Sequence, residues 1–101
     1  MRPMADLLDD DAIAEALSGL PGWERDGDSI VRSAKLRTFR DAIDTVDEVA
    51  DLAEEHDHHP DIDIRFSTLV FTLSTHSEGG LTAKDTDLAG RINVVLDSRQ
   101  G

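Results

Sequence analysis

The chain has no cysteine and only two lysines, Lys35 and Lys84, among its 101 residues. Without cysteine there is no disulfide framework and no thiolate metal site, which fits a cytoplasmic protein. No apolar run approaches the roughly 20 residues that a membrane-spanning helix needs. The first residues lack the basic and apolar parts of a signal peptide. We therefore expect a cytoplasmic protein without membrane contact, and the length predicts a single domain over residues 1–101.

Positive charge is scarce, because 10 Lys and Arg residues face 22 Asp and Glu residues and the net charge is −12. Such a surface repels nucleic-acid phosphates, so no nucleic-acid partner is expected. The acidic residues are spread along the chain, and regular apolar patterns persist between them. This distribution favours an acidic, salt-adapted surface. An acidic face for a basic partner stays open as an alternative.

Apolar periodicity and turn residues predict seven elements in the order α-β-β-α-β-β-α. The first helix ends at Gly19 and Pro21, and a hairpin runs from Trp23 to about Thr38. Two further strands follow near residues 62–66 and 69–75, with His76 closing the second. A last helix begins at Thr82 and frays from Asp97 onwards. Short connections predict an α+β fold, a four-stranded antiparallel sheet with three helices packed on one face.

The strongest helical pattern begins at Phe39, after a candidate N-cap at Thr38, and ends before Pro60. Its apolar stripe repeats at steps of four and three residues: Phe39, Ile43, Val46, Ala50 and Ala53. We expect this stripe to face the core. Ala42 and Val49 widen the apolar face, and we expect that extra width to pack against another copy of the chain.

All four histidines lie within 21 residues: His56, His58, His59 and His76. Imidazole has an unperturbed pKa of about 6.5, so such clustering indicates proton chemistry or metal binding. A metal site would rest on His56, Asp57, His58 and His59. Adjacent histidines at the end of a helix rarely point at one ion, and no cysteine is present, so we expect no metal.

The spacing of these residues is specific. Glu54 is followed after three residues by His58-His59-Pro60, and then by Phe66, His76 and Asp85. This pattern resembles the pterin-4a-carbinolamine dehydratase family. Further matching positions extend the resemblance from Leu17 to Leu96: Gly22-Trp23, Phe39, Leu73-Ser74-Thr75-His76, Gly79-Gly80-Leu81-Thr82 and Leu88-Ala89.

The resemblance implies a hydro-lyase that needs no cofactor. Its substrate would be 4a-hydroxytetrahydrobiopterin or a related 4a-hydroxytetrahydropterin. The products would be quinonoid dihydropterin and water, in tetrahydrobiopterin recycling. His58, His59 and His76 would be the catalytic set, with acid and base unassigned. The remaining site residues would bind or orient the substrate: Glu54, Asp57, Thr75, Ser77, Asp85 and Trp23.

Several of these residues have a second interpretation. Glu54 lies one helical turn before His58 and would orient its ring, or it is a plain surface carboxylate. Asp85 also fits the third position of a helix capping box. Trp23 would form an apolar wall beside the pterin, or it is simply a core residue. The sequence departs from the family at Ile62, where Trp is common, and at Lys84, where Arg is frequent. The first change removes an aromatic surface near the substrate, and the second replaces a planar guanidinium with a point charge.

The resemblance also implies a homo-oligomer, a dimer or a tetramer. It leaves open whether an aromatic amino acid hydroxylase supplies the substrate or another pterin is the ligand, for instance one linked to the molybdenum cofactor. The alternative is a non-catalytic dimerisation, assembly or coactivator-type protein of the same fold. Retention of His58, His59 and His76 favours catalysis.

Overall fold

The computed structural model describes residues 6–100, and their elements follow the predicted order α-β-β-α-β-β-α. The elements are, in chain order, α1 (Asp10–Ser18), β1 (Trp23–Asp26), β2 (Ser29–Lys35), α2 (Phe39–His56), β3 (Asp61–Arg65), β4 (Thr68–Leu73) and α3 (Ala83–Gln100). A short 3₁₀ helix, His76–Glu78, lies between β4 and α3. Among the described residues, no helix is long and apolar enough to cross a membrane.

The four strands form one antiparallel sheet in the order β1-β2-β4-β3. In this register Ile30 pairs with Leu73 and Ala34 with Leu69. Residues that lie opposite each other in the sheet point to the same face. All four are buried, and they form one core with residues of the three helices: Ile13, Ala42, Val49, Leu88, Ala89, Ile92 and Leu96. The α+β architecture expected from the sequence is confirmed.

The buried face of α2 differs from the predicted stripe. Its fully covered positions are Ala42, Thr45, Val49 and Ala53, whereas Phe39 is 51% exposed and Ala50 is also exposed. Ala42 and Val49 therefore belong to the core and not to the outer surface. Small side chains let α2 approach its neighbours closely, and the larger residues are left at the rim of the core.

The prediction that His76 closes the last strand is wrong. β4 ends at Leu73, and His76 begins the 3₁₀ helix in the loop that follows. The last helix also runs through to Gln100 and does not fray from Asp97. One reason is that Arg99 forms an ion pair with Glu48 on α2, while the Gln100 amide donates to the carbonyl of Lys35.

Candidate active site

A left-handed turn at Asp57 directs two histidines away from the end of α2. Asp57 has φ 49°, and its N–H bonds to carbonyls of the last helical turn. His58 N–H bonds to the carbonyl of Ala53 at 3.0 Å, five residues back, which closes the helix end. Asp tolerates this conformation better than most residues other than glycine. The turn places His58 and His59 beyond the helix, next to the loop that follows β4.

The two histidines open onto a cavity of about 270 Å³ that we call the histidine cavity. Its walls come from the end of α2, the loop after β4 and the first turn of α3. The lining residues are Asp57, His58, His59, Ser74, Thr75, His76, Ser77 and Lys84. The structure therefore brings together all three predicted catalytic histidines, although they lie up to 18 positions apart in the sequence.

His58 contacts a buried carboxylate. Its Nε2 lies 2.6 Å from Oδ1 of Asp85, which has no solvent exposure, and the His58 side chain is only 10% exposed. Asp85 also accepts hydrogen bonds from the hydroxyl of Thr75 at 2.7 Å and from the N–H of Thr82 at 3.0 Å. Asp85 thus closes the first turn of α3, as the capping-box interpretation predicts, and contacts the site as well.

His59 pairs with Glu54. Its Nε2 lies 2.5 Å from Oε2 of that carboxylate, and both side chains are mostly exposed. The spacing of four residues predicts that Glu54 would orient His58. The structure shows a different pairing, because the chain leaves the helical path at Asp57. A helical i, i+4 contact requires helical backbone between the two residues.

The third histidine sits on a tightly closed loop. Thr75 and Gly80 form an isolated β-bridge around residues 76–79, and the Thr75 carbonyl accepts the N–H groups of Glu78 and Gly79. Gly79 has φ 75°, which favours glycine there. Within residues 6–100, His76 has no side-chain hydrogen bond, and it is exposed on the cavity wall. Both ring nitrogens are therefore available to a ligand.

Trp23 does not line the histidine cavity. It is 5% exposed, and its indole N–H donates to Oδ1 of Asn93 on α3 at 2.8 Å. The same Asn93 oxygen accepts from the Arg32 guanidinium. The remaining predicted site residues, Asp57, Thr75 and Ser77, do line the cavity.

Thr82 and Ser74 are residues of this region that the sequence did not identify as site residues. Thr82 is fully buried beside Asp85, and its position in the sequence indicated a helix cap. Ser74 lines the cavity, and its hydroxyl donates to the carbonyl of Asp28. Among the residues that the structure describes, no three His, Asp or Glu side chains converge to hold a metal ion.

An apolar groove of about 230 Å³ adjoins the histidine cavity between α2 and β3. Glu54 and His59 form its polar end. Its other walls are Val49, Ala50, Ala53, Pro60 and Ile62. His59 therefore separates a polar cavity from an apolar one, an arrangement that suits a ligand with one polar and one apolar part.

Fold and site together define an α+β protein with a histidine-lined cavity. The family described as "Pterin 4 alpha carbinolamine dehydratase" matches residues 6–95. The chain belongs to the pterin-4a-carbinolamine dehydratase family, as the spacing of its histidines indicated.

The match to two curated relatives spans nearly the whole length of each of them. A protein of Mycobacteroides abscessus is 58% identical over 89% of this chain and 96% of its own, and one of Nocardia farcinica is 56% identical over 89% and 95%. Both bear the name "Putative pterin-4-alpha-carbinolamine dehydratase".

Two solved structures share the fold. A "transcriptional coactivator/pterin dehydratase" from Brucella melitensis is 33% identical, with a TM-score of 0.87 over 90% of this chain and 99% of its own. A "pterin dehydratase-like protein", described as a RuBisCO assembly factor in the alpha-carboxysome, is 17% identical. Its TM-score is 0.61 over 73% of this chain and 86% of its own, which supports likeness of fold alone.

Proposed function

We propose that this protein dehydrates a 4a-hydroxytetrahydropterin, such as 4a-hydroxytetrahydrobiopterin, to the quinonoid dihydropterin and water. The observation that supports this most strongly is the convergence of His58, His59 and His76 on one cavity. The proposal places the enzyme in tetrahydrobiopterin recycling in the cytoplasm. An aromatic amino acid hydroxylase would be the source of its substrate.

The reaction needs two proton transfers. The C4a–O bond breaks as the hydroxyl receives a proton and leaves as water, while loss of the N5 proton lets a C4a=N5 double bond form. Imidazoles can serve as both acid and base near neutral pH. Positioned groups of this kind typically contribute about 10²–10⁴-fold each to a rate.

The surroundings of the three rings suit these roles. His58 and His59 each contact a carboxylate through Nε2, which leaves Nδ1 of each ring for the ligand. His76 keeps both nitrogens. The side chains of Asp57 and Ser77 line the cavity and offer an acceptor and a donor to the edge of a flat pterin, whose rim alternates the two.

The direct test is the rate at which chemically generated 4a-hydroxytetrahydropterin loses water with and without the purified protein. Because this dehydration also proceeds unaided, the spontaneous rate at the same pH is the reference. An enzyme of this kind accelerates the loss in proportion to its own concentration. A rate equal to the spontaneous one at every protein concentration would refute the proposal.

The second candidate is a non-catalytic binding, assembly or coactivator-type role. It is favoured by large apolar side chains that stay exposed: Phe39, Ile64, Phe66 and Val94. The solved relative from Brucella melitensis is named a transcriptional coactivator as well as a pterin dehydratase. An inactive protein that still binds a partner chain would support this alternative.

A further inference from the structure

Asp85 holds an unusual position for a carboxylate, since it is fully buried. A buried carboxylate is costly unless donors satisfy its oxygens. Oδ2 accepts two donors, the Thr75 hydroxyl and the Thr82 N–H. Oδ1 contacts Nε2 of His58 at 2.6 Å. These contacts join the first turn of α3, the loop after β4 and the turn after α2.

The hydroxyls of Thr75 and Thr82 donate their hydrogen bonds in a fixed order. A threonine hydroxyl has one proton to donate. Since Thr75 donates its proton to Asp85, the 2.8 Å contact between Thr75 Oγ1 and Thr82 Oγ1 must use the proton of Thr82. Thr82 Oγ1 in turn accepts the N–H of Lys84 at 3.2 Å. Every donor in this series of hydrogen bonds points toward Oδ2 of Asp85, as expected for an ionised carboxylate, which can only accept.

The carboxylate of Asp85 decides which ring nitrogen of His58 bears the proton. A carboxylate that only accepts requires a proton on Nε2, because Nε2 is the atom that faces it. In a neutral ring the lone pair is then on Nδ1. Nδ1 has no partner among residues 6–100, and it is not among their buried unpaired atoms, so it keeps solvent access on a side chain that lines the histidine cavity.

We propose that Asp85, held by Thr75 and Thr82, is a positioning residue that fixes His58 in its Nε2–H tautomer. This presents Nδ1 of His58 to the cavity as the proton acceptor. If the proposed function holds, His58 is then the base that removes the N5 proton, and this consequence alone rests on the proposed function. The proton that the leaving hydroxyl needs then comes from His59 or His76.

An Asp85→Asn variant reverses the tautomer. The Asn oxygen must face the two donors from Thr75 and Thr82, so the amide NH₂ faces Nε2 of His58. Nε2 must then accept, and the ring proton moves to Nδ1. In that state Nδ1 can donate to the ligand but cannot take a proton from it.

The test is the ¹⁵N spectrum of the imidazole rings at alkaline pH, where neutral rings show which nitrogen bears the proton. We expect Nε2–H at His58 in the wild type and Nδ1–H in Asp85→Asn, while His59, which faces Glu54, stays unchanged. We also expect kcat of Asp85→Asn to fall by about 10²-fold or more with little change in KM.

An Nδ1–H tautomer in the wild type would overturn the inference, and this measurement needs no variant to fold. An unchanged His58 tautomer in a folded Asp85→Asn protein would also overturn it. The spectrum is independent of activity. A wild type with the expected tautomer but no dehydration would therefore refute the proposed function and leave the positioning role intact.

Discussion

Nε2 of His59 lies 2.5 Å from Oε2 of Glu54, across the left-handed turn that ends α2. Both side chains are more than half exposed, so solvent weakens the attraction between them. The matching contact of His58 is with a carboxylate that is completely buried. The two neighbouring histidines therefore differ in how firmly their rings are held.

Glu54→Gln is expected to have a small effect on catalysis. An exposed ion pair contributes at most about 1 kcal/mol, so kcat is expected to fall by about fivefold or less. Glu55→Gln, one position further along the exposed face of α2, is the matched control and is expected to have no effect. A fall of 10²-fold in Glu54→Gln would mean that Glu54 acts on the substrate itself.

Trp23→Phe tests whether this side chain touches the ligand. Its indole is buried and bonds to Asn93, away from the histidine cavity. We expect a loss of roughly 1–3 kcal/mol in the free energy of unfolding, from the missing hydrogen bond and the reduced packing, with KM unchanged. Urea denaturation and steady-state kinetics measure the two quantities. A raised KM at unchanged stability would instead support the apolar wall beside the pterin.

We expect the chain to form a homo-oligomer, a tetramer at molar salt that dissociates toward a dimer as salt is removed. Exposed apolar residues lie at the start of α2, on the edge strand β3 and in the turn that follows it: Phe39, Ile64 and Phe66. An open strand edge can pair with a second copy. The acidic surface opposes association when it is not screened.

Phe66→Asn separates assembly from folding. Phe66 is 74% exposed and has φ 53°, a conformation that costs most residues roughly 1–2 kcal/mol and that Asn adopts more readily. We expect a lower mass by light scattering with no loss of fold. Val94→Asn, at a similarly exposed site on α3, is expected to leave the mass unchanged. A mass near 11 kDa for the wild type at every salt concentration would refute the oligomer.

Stability is expected to rise with potassium chloride over the molar range. Repulsion among the 22 acidic side chains disfavours the compact state, and the screening length shortens to about 3 Å at 1 M. Thermal denaturation at low and high salt is the measurement. Equal midpoints under both conditions would remove the argument for salt adaptation.

The order of elements could be predicted because periodicity and turn residues act locally. The residues of α2 show where that reasoning stops. Helical periodicity assigns Phe39 to the core and Ala42 to a contact with another copy of the chain, whereas close packing favours the smaller residue inside. Nothing local indicates how near α2 lies to its neighbours.

The site, too, could be predicted from the sequence only in part. The family resemblance groups His58, His59 and His76 as one catalytic set, and all three line one cavity. Their carboxylate partners were not predictable, because the partner of His58 lies 27 positions away and the turn at Asp57 changes the geometry of a local pair. Thr82 was identified as a cap, and its hydrogen bonds to Thr75 and Lys84 appear only in three dimensions.

The most direct test of the central claim is the dehydration rate of a 4a-hydroxytetrahydropterin with a His59→Ala, His76→Ala double variant. We expect a loss of about 10²-fold or more relative to the wild type, because two candidate proton donors are removed. His56→Ala, at the exposed end of α2 and outside the cavity, is the matched control and is expected to retain full activity. Dehydration by the double variant at the wild-type rate would contradict the account.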